Sequence, residues 1–180
     1  SGTNYLGYIT DGSSNATFTS TVDYNDGAWH NFAFTWDGTD TITAYIDGSS
    51  VGTGTQALGE IDGGDLYIGS QAGGSTKFFN GQLDEFAVWN TALSASEVAS
   101  IYNNGKIVDL SKSASYGTDR TANLKLWLRC GDKVEPDASI ARSDFYTDFD
   151  GTNDYVSVAD NDDLSFGSGS ADSPFSISAW

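Results

Sequence analysis

Residues 26–48 read DGAWHNFAFTWDGTDTITAYIDG, and the alternation inside this stretch sets the fold class. Side chains alternate across an extended chain, so His30, Phe32, Phe34 and Trp36 share one face and Trp29–Trp36 reads as a strand. Asp37-Gly38-Thr39-Asp40 then turns the chain into Thr41–Asp47, and Asp47-Gly48 makes another tight turn. On either side lie more segments of the same kind. Tyr5–Thr10 and Ala16–Ser20 flank the turn Asp11-Gly12-Ser13, and Leu66–Gly69 and Leu83–Trp89 are further strands. Short strands punctuated by Gly and Asp predict an all-β, antiparallel sandwich.

One helix interrupts the pattern. Ser94-Ala95-Ser96-Glu97 is a capping box, in which the serine hydroxyl accepts from the Glu97 amide and the Glu97 carboxylate reaches back. Val98, Ile101 and Tyr102 then share a face, and Gly105 suits the position just past the end. Residues 106–143 differ in character. Seven of the eight Lys and Arg residues fall between Lys106 and Arg142, and one strand-like segment, Leu124–Leu128, stands among Ser, Thr and Asp. The chain then returns to strands at Phe145–Asp150, Tyr155–Val158 and Phe175–Trp180.

Trp29-His30, Tyr45-Ile46-Asp47-Gly48, Leu66-Tyr67-Ile68-Gly69, Gly81-Gln82-Leu83-Asp84-Glu85, and Leu93-Ser94 with Glu97 and a helix occur in that order. This succession resembles the laminin G-like domains of the concanavalin A-like lectin/glucanase superfamily. The resemblance implies an antiparallel jelly-roll β-sandwich with one short helix after the last family strand. Phe149-Asp150-Gly151, Asn153-Asp154-Tyr155-Val156 and Phe175–Trp180 are similar to the opening strands of that family, yet here they come last.

The expected organisation is therefore residues 1–107 as the middle and C-terminal part of a sandwich, 108–143 as a connector with one strand, and 144–180 as opening strands. Three arrangements satisfy that order: an excerpt from a tandem array, a permuted domain closed in cis, or a tail that completes a neighbouring subunit or repeat. Some completion is required. The tail carries Phe149, Tyr155, Val156, Val158, Phe175, Ile177 and Trp180, and burying such side chains is worth roughly 1.5–3 kcal/mol each. That gross contribution of about 10–20 kcal/mol rivals the whole net stability of a domain, about 5–15 kcal/mol. The halves are not expected to fold apart.

Charge narrows the partners. The formal net charge is −17, and before position 105 only Lys77 is basic (His apart), against twelve carboxylates. That leaves no footprint for a phosphate backbone, so nucleic acid is not an expected partner. No apolar run approaches the ~20 residues of a membrane span. Cys130 is the only cysteine, so an internal disulfide is ruled out. Asn15-Ala16-Thr17 forms a glycosylation sequon.

Catalytic chemistry finds little support. Glu60-Ile61-Asp62-Gly63-Gly64-Asp65 resembles the Glu-Ile-Asp-x-x-Glu motif of related glucanases, whose paired carboxylates face one cleft. Here the third carboxylate is the shorter Asp and two glycines break the strand, so a turn is expected and not an enzyme. His30 shares parity with three aromatics and reads as structural. Asp84 shares parity with Phe86 and Val88 and reads as inward-facing, whereas Glu85 reads as facing out with Ala87 and Trp89.

The resemblance implies a structural calcium, with Asp84 and Asp150 or Asp154 as candidate ligands; the alternative is a carboxylate satisfied by backbone amides. Asp160-Asn161-Asp162-Asp163 lacks EF-hand spacing and reads as a solvated loop. Aromatic candidates for stacking on a sugar are Tyr5, Tyr8, Tyr24, Trp36 and Trp89, with Trp36 and Trp89 in front. The expected function is a non-catalytic extracellular adhesion or assembly module, secreted or on a virion surface, in a fibre or filament. Its expected partners are copies of itself or adjacent laminin G-like repeats. The alternative is a carbohydrate-binding module of a larger secreted protein.

Overall fold

The structure, a computed structural model, describes residues 4–10, 15–20, 22–55, 65–70, 77–130, 146–159, 162–164 and 173–180. The turn at 11–13, residues 60–64 of the glucanase-like stretch, residues 160 and 161 of the acidic run and 131–143 of the connector lie outside them. The described chain is mostly β, in line with the concanavalin A-like sandwich expected above.

The strands are β1 (Asn4–Thr10), β2 (Asn15–Ser20), β3 (Phe32–Trp36), β4 (Thr41–Ile46), β5 (Ser49–Thr55) and β6 (Leu66–Ile68). After them come β7 (Asn80–Leu83), β8 (Phe86–Trp89), β9 (Leu124–Leu128), β10 (Thr147–Asp150), β11 (Val156–Val158) and β12 (Phe175–Ala179). Among the described residues, six form one antiparallel sheet in the order β5-β4-β3-β12-β8-β9. The pairs β1-β2, β7-β10 and β6-β11 stand apart from it.

β12 therefore occupies the middle of the large sheet, between β3 and β8, although it comes from the last residues of the chain. The register explains the core. Ala44, Phe34, Ile177, Val88 and Leu126 lie side by side across five strands. This row belongs to an inner cluster with Trp36, Ile42 and Phe175 from the same sheet, Ala16 and Phe18 from β2, Ile68 from β6 and Phe86 from β8. Gly54 of β5 makes room for that layer, since a Cβ there would lie 2.8 Å from the Ala16 Cβ and 3.3 Å from Phe18.

The opposite face of the sheet is covered as well. The helix α1 (Ala95–Tyr102) starts at Ser94 with the predicted capping box: the Ser94 amide donates to Glu97 Oε2 at 2.7 Å, and the Glu97 amide donates to Ser94 Oγ at 3.3 Å. It ends at Asn103 in the left-handed region (φ 46°), two residues before the expected Gly105. Val98 and Ile101 join Ala33, Tyr45, Ala87, Trp89 and Leu93 in a second cluster, completed by Leu110 and Tyr116.

Leu110 and Tyr116 belong to the connector, so that segment is a packed layer up to β9. Tyr116 is 1% exposed; its hydroxyl donates to the Leu110 carbonyl at 2.6 Å and accepts from Trp89 Nε1 at 3.2 Å. Burial drives its pKa up to about 12. Arg120 Nε donates to Glu97 Oε1 at 2.6 Å and ties the connector to the helix. Among the described residues no helix is long and apolar enough to cross a membrane.

Candidate binding cleft at the end of the sandwich

At one end of the large sheet, Ile46, Phe32 and Ala179 are register neighbours. Beyond them a cleft of about 870 Å³ opens. These three residues, with Leu83 and Trp180, are its apolar floor. One wall is β7, with Phe79 at its start and Asp148 of β10 beside Gln82. The other is the arm at residues 22–31, which brings Asp23, Tyr24, Asn25 and Trp29.

The arm is shaped by local carboxylates. Asp23 Oδ1 accepts from the Asn25 amide at 3.0 Å, and Asp26 Oδ1 accepts from the Ala28 amide at 2.8 Å. Such short-range bonds hold a turn without strand pairing. His30 fastens the arm to the β4–β5 turn: its Nδ1 lies 2.7 Å from Asp47 Oδ2 and its Nε2 3.2 Å from Asp26 Oδ1. Asp47 Oδ1 also accepts from the Asn31 amide at 2.9 Å.

Burial pulls the His30 pKa down, but the hydrogen bonds and charges of Asp47 and Asp26 outweigh it and hold it above the ordinary 6.5. The same network, led by the Ala28 amide and followed by His30, depresses Asp26. Asn31 anchors the arm to the tail, its Nδ2 donating to Ser178 Oγ and to the Ala179 carbonyl, both at 3.1 Å.

Aromatic rings line the rim. Phe79 is 44% exposed, with its ring 5.9 Å from that of Phe149 in the core. Trp29 leans on Tyr146 at 5.9 Å, and Tyr24 meets His30 edge-on at 5.0 Å. Trp180 stacks on Tyr102 at 5.5 Å.

The residues singled out by sequence are placed differently. Trp36 is 1% exposed and Trp89 0%, on opposite faces of the large sheet. Neither offers a ring face to a sugar: Trp36 lies in the inner cluster under β2 and β6, and the face that carries Trp89 is roofed by the helix and connector. Of the five aromatics considered, Tyr24 lines the cleft; Trp29 and Phe79 carry no periodic signal that separates them from packing residues.

Asp150 and Asp154 share one turn, where Asp154 Oδ2 accepts from the Asp150 amide at 3.0 Å and Asp150 Oδ1 from the Thr152 amide at 2.7 Å. Asp84 is elsewhere. Asp150 pairs with Asn80 at one end of β7, and Asp84 follows the other end, about 13 Å away at strand rise. It is buried, its Oδ1 accepts from the Glu85 amide, and its backbone exchanges two hydrogen bonds with Trp180. The three carboxylates do not fit one calcium ion, and no cluster of three or more potential ligands occurs among the described residues. Glu85 faces outward as expected but is 5% exposed, accepting from Trp127 Nε1 under the outer layer. Of the glucanase-like stretch, Asp65 is described and is exposed.

A sequence model described as the concanavalin A-like lectin/glucanases superfamily, of the laminin G type, matches residues 1–99. The chain belongs to this superfamily. Neuronal pentraxin-2 from mouse and from human is each 34% identical over 89 residues, covering 44% of this chain and 21% of theirs. The chain thus spans about a fifth of the length of the curated relatives it matches. No solved structure matches. The matched segment ends at residue 99, so β12 at the centre of the large sheet lies outside it.

Proposed function

We propose that this chain is a non-catalytic recognition module of an extracellular protein and that it binds carbohydrate in the cleft at the end of the sandwich. The observation that carries this reading is the cleft's lining. Trp29, Tyr24 and Phe79 supply flat apolar faces, and Asn25, Asn80, Gln82 and Asp148 supply hydrogen-bonding groups beside them. A concave site with aromatic walls and a few polar groups is what orients a small polar ligand. Two glycines and a shorter third carboxylate in Glu60-Ile61-Asp62-Gly63-Gly64-Asp65 count against paired-carboxylate hydrolysis. Glycan-array screening of the intact chain tests the reading, with Phe79→Ala and Trp29→Ala as cleft variants. Binding that both variants weaken supports it; an array without hits, or hits indifferent to both substitutions, refutes it.

A second reading, assembly through strand exchange into a fibre or filament, is favoured by the position of β12. A central strand separated in sequence by more than eighty residues from both of its sheet neighbours is one that a second copy is able to supply as well. Light scattering across a dilution series tests it: a monomer at every concentration removes exchange between subunits.

A further inference from the structure

The charge of the cleft narrows its ligand, on the footing of the carbohydrate reading above. Two different walls contribute exposed carboxylates, Asp23 from the arm and Asp148 from β10. The walls meet where Trp29 touches Tyr146, two residues before Asp148. No Lys or Arg is among the described residues that line the cleft; Lys77, two residues before Phe79, is not part of the lining. His30, the one base in the described lining, is engaged by Asp26 and Asp47, so the cluster stays negative even when the imidazole is protonated. Carboxylates set among aromatic faces, with no Lys or Arg beside them among the described residues, match a protonated amine on both counts. The carboxylates attract its charge and the ring faces attract it by cation–π contact.

We propose that the cleft takes a glycan bearing free amino groups, its ammonium drawn to Asp23 and Asp148 and its sugar ring laid on Trp29 or Phe79. A neutral or N-acetylated glycan of the same backbone gains only the stacking. An acidic glycan is repelled. Calorimetric titration of the intact chain near pH 6 tests this with four probes: a β-1,4-linked glucosamine tetramer, its fully N-acetylated form, cellotetraose and tetragalacturonate.

The glucosamine tetramer is expected to bind about tenfold more tightly than either neutral tetramer, from two ion pairs and a cation–π contact, with the gap closing as salt is raised. Asp148→Asn and Asp23→Asn are each expected to weaken the amine probe about two- to fivefold and to narrow the gap between amine-bearing and neutral probes, with circular dichroism reporting that both variants are folded; a gap that neither substitution narrows overturns the assignment. Equal affinity for amine-bearing and N-acetylated tetramers, or measurable binding of the galacturonate, overturns the charge assignment while leaving carbohydrate binding in place. Failure of all four probes, together with an array lacking hits, overturns both.

Discussion

Gly69 and Phe149 meet where the front of the chain receives its tail, and substituting both measures that contact. Gly69 follows β6 with φ +87°, and a Cβ there would lie 2.4 Å from Phe149 Cε1 and 2.7 Å from Cδ1. Gly69→Ala therefore carries two costs: about 1–2 kcal/mol for a side chain in the left-handed region and about 1–3 kcal/mol for crowding a packed ring. The sum is roughly 2–5 kcal/mol. Phe149 is 1% exposed, and Phe149→Ala alone removes about 3–5 kcal/mol. In the double variant the ring is gone and only the backbone cost of the Gly69→Ala change remains. The double change should fall short of the summed single changes by about 1–3 kcal/mol, as expected of residues in direct contact. Urea unfolding followed by tryptophan fluorescence reads all four proteins, with sucrose added throughout to keep the weakest folded. Additivity within about 0.5 kcal/mol would show that the two positions do not touch, and with that the placement of the Phe149 ring over Gly69 would be wrong.

Three other outcomes are expected. His30 has a raised pKa when folded, so its bond to Asp47 and Asp26 contributes stability fully present below the unfolded value of 6.5 and lost as pH rises through the folded value. His30→Asn should flatten that alkaline loss in denaturation curves; an unchanged pH profile would show the cluster idle. At Glu97, burial raises the pKa but the Arg120 and Ser94 hydrogen bonds outweigh it, leaving the carboxyl below its ordinary 4.5. Its stabilisation is present above 4.5 and lost as pH falls through the folded value, so Glu97→Gln should be less stable at neutral pH and lose less on acidification. Tyr116→Phe leaves Trp89 Nε1 and the Leu110 carbonyl without their partner and should cost about 1–3 kcal/mol; a change under about 0.5 kcal/mol in chemical denaturation would mean the connector does not pack on the sheet.

What the sequence discloses depends on how local each cause is. The helix start is written in four residues, because Ser94 and Glu97 bond within their own turn. β3 and β4 are legible because Phe32, Phe34 and Trp36 alternate, with Phe34 and Trp36 on the inner cluster, although the strand begins three residues after Trp29 and its other face, Ala33 and Thr35, is buried as well. β5 is not, since Ser-Ser-Val-Gly-Thr-Gly-Thr holds one large apolar residue; its strand state comes from pairing with β4. Leu83–Trp89 reads as one strand but is two, divided at Glu85, whose φ of 51° no residue type there announces.

β12 shows the deeper limit. Phe-Ser-Ile-Ser-Ala alternates as a half-solvated strand does, yet Ser176 is 1% and Ser178 3% exposed. Ser176 Oγ accepts from the Leu93 amide and donates to the Thr91 carbonyl, each at 2.8 Å. A serine satisfied by a loop some eighty residues away looks in sequence like a serine in water. The same blindness puts Trp36 and Trp89 forward as sugar platforms, since alternation says which face a ring shares and not what covers that face.

The cleft inherits its dependence on the tail from this topology. Its floor includes Ala179 and Trp180, and its arm is moored by Asn31 to Ser178 and to the Ala179 carbonyl. Asp148, on the opposite wall, stands on β10 and is held by pairing with Gln82. Without residues 146–180 the front of the chain would keep Tyr24, Trp29 and Phe79 and part of the floor (Phe32, Ile46, Leu83) but would lose Ala179, Trp180 and half of the proposed carboxylate pair. Closing the sandwich and building the proposed binding site are thus one physical event. This holds whether the closing strands come from the same chain or from a sibling, so ligand affinity reports on closure in either arrangement. Where exchange between copies operates, the ligand would bind across two chains and favour the exchanged form by mass action.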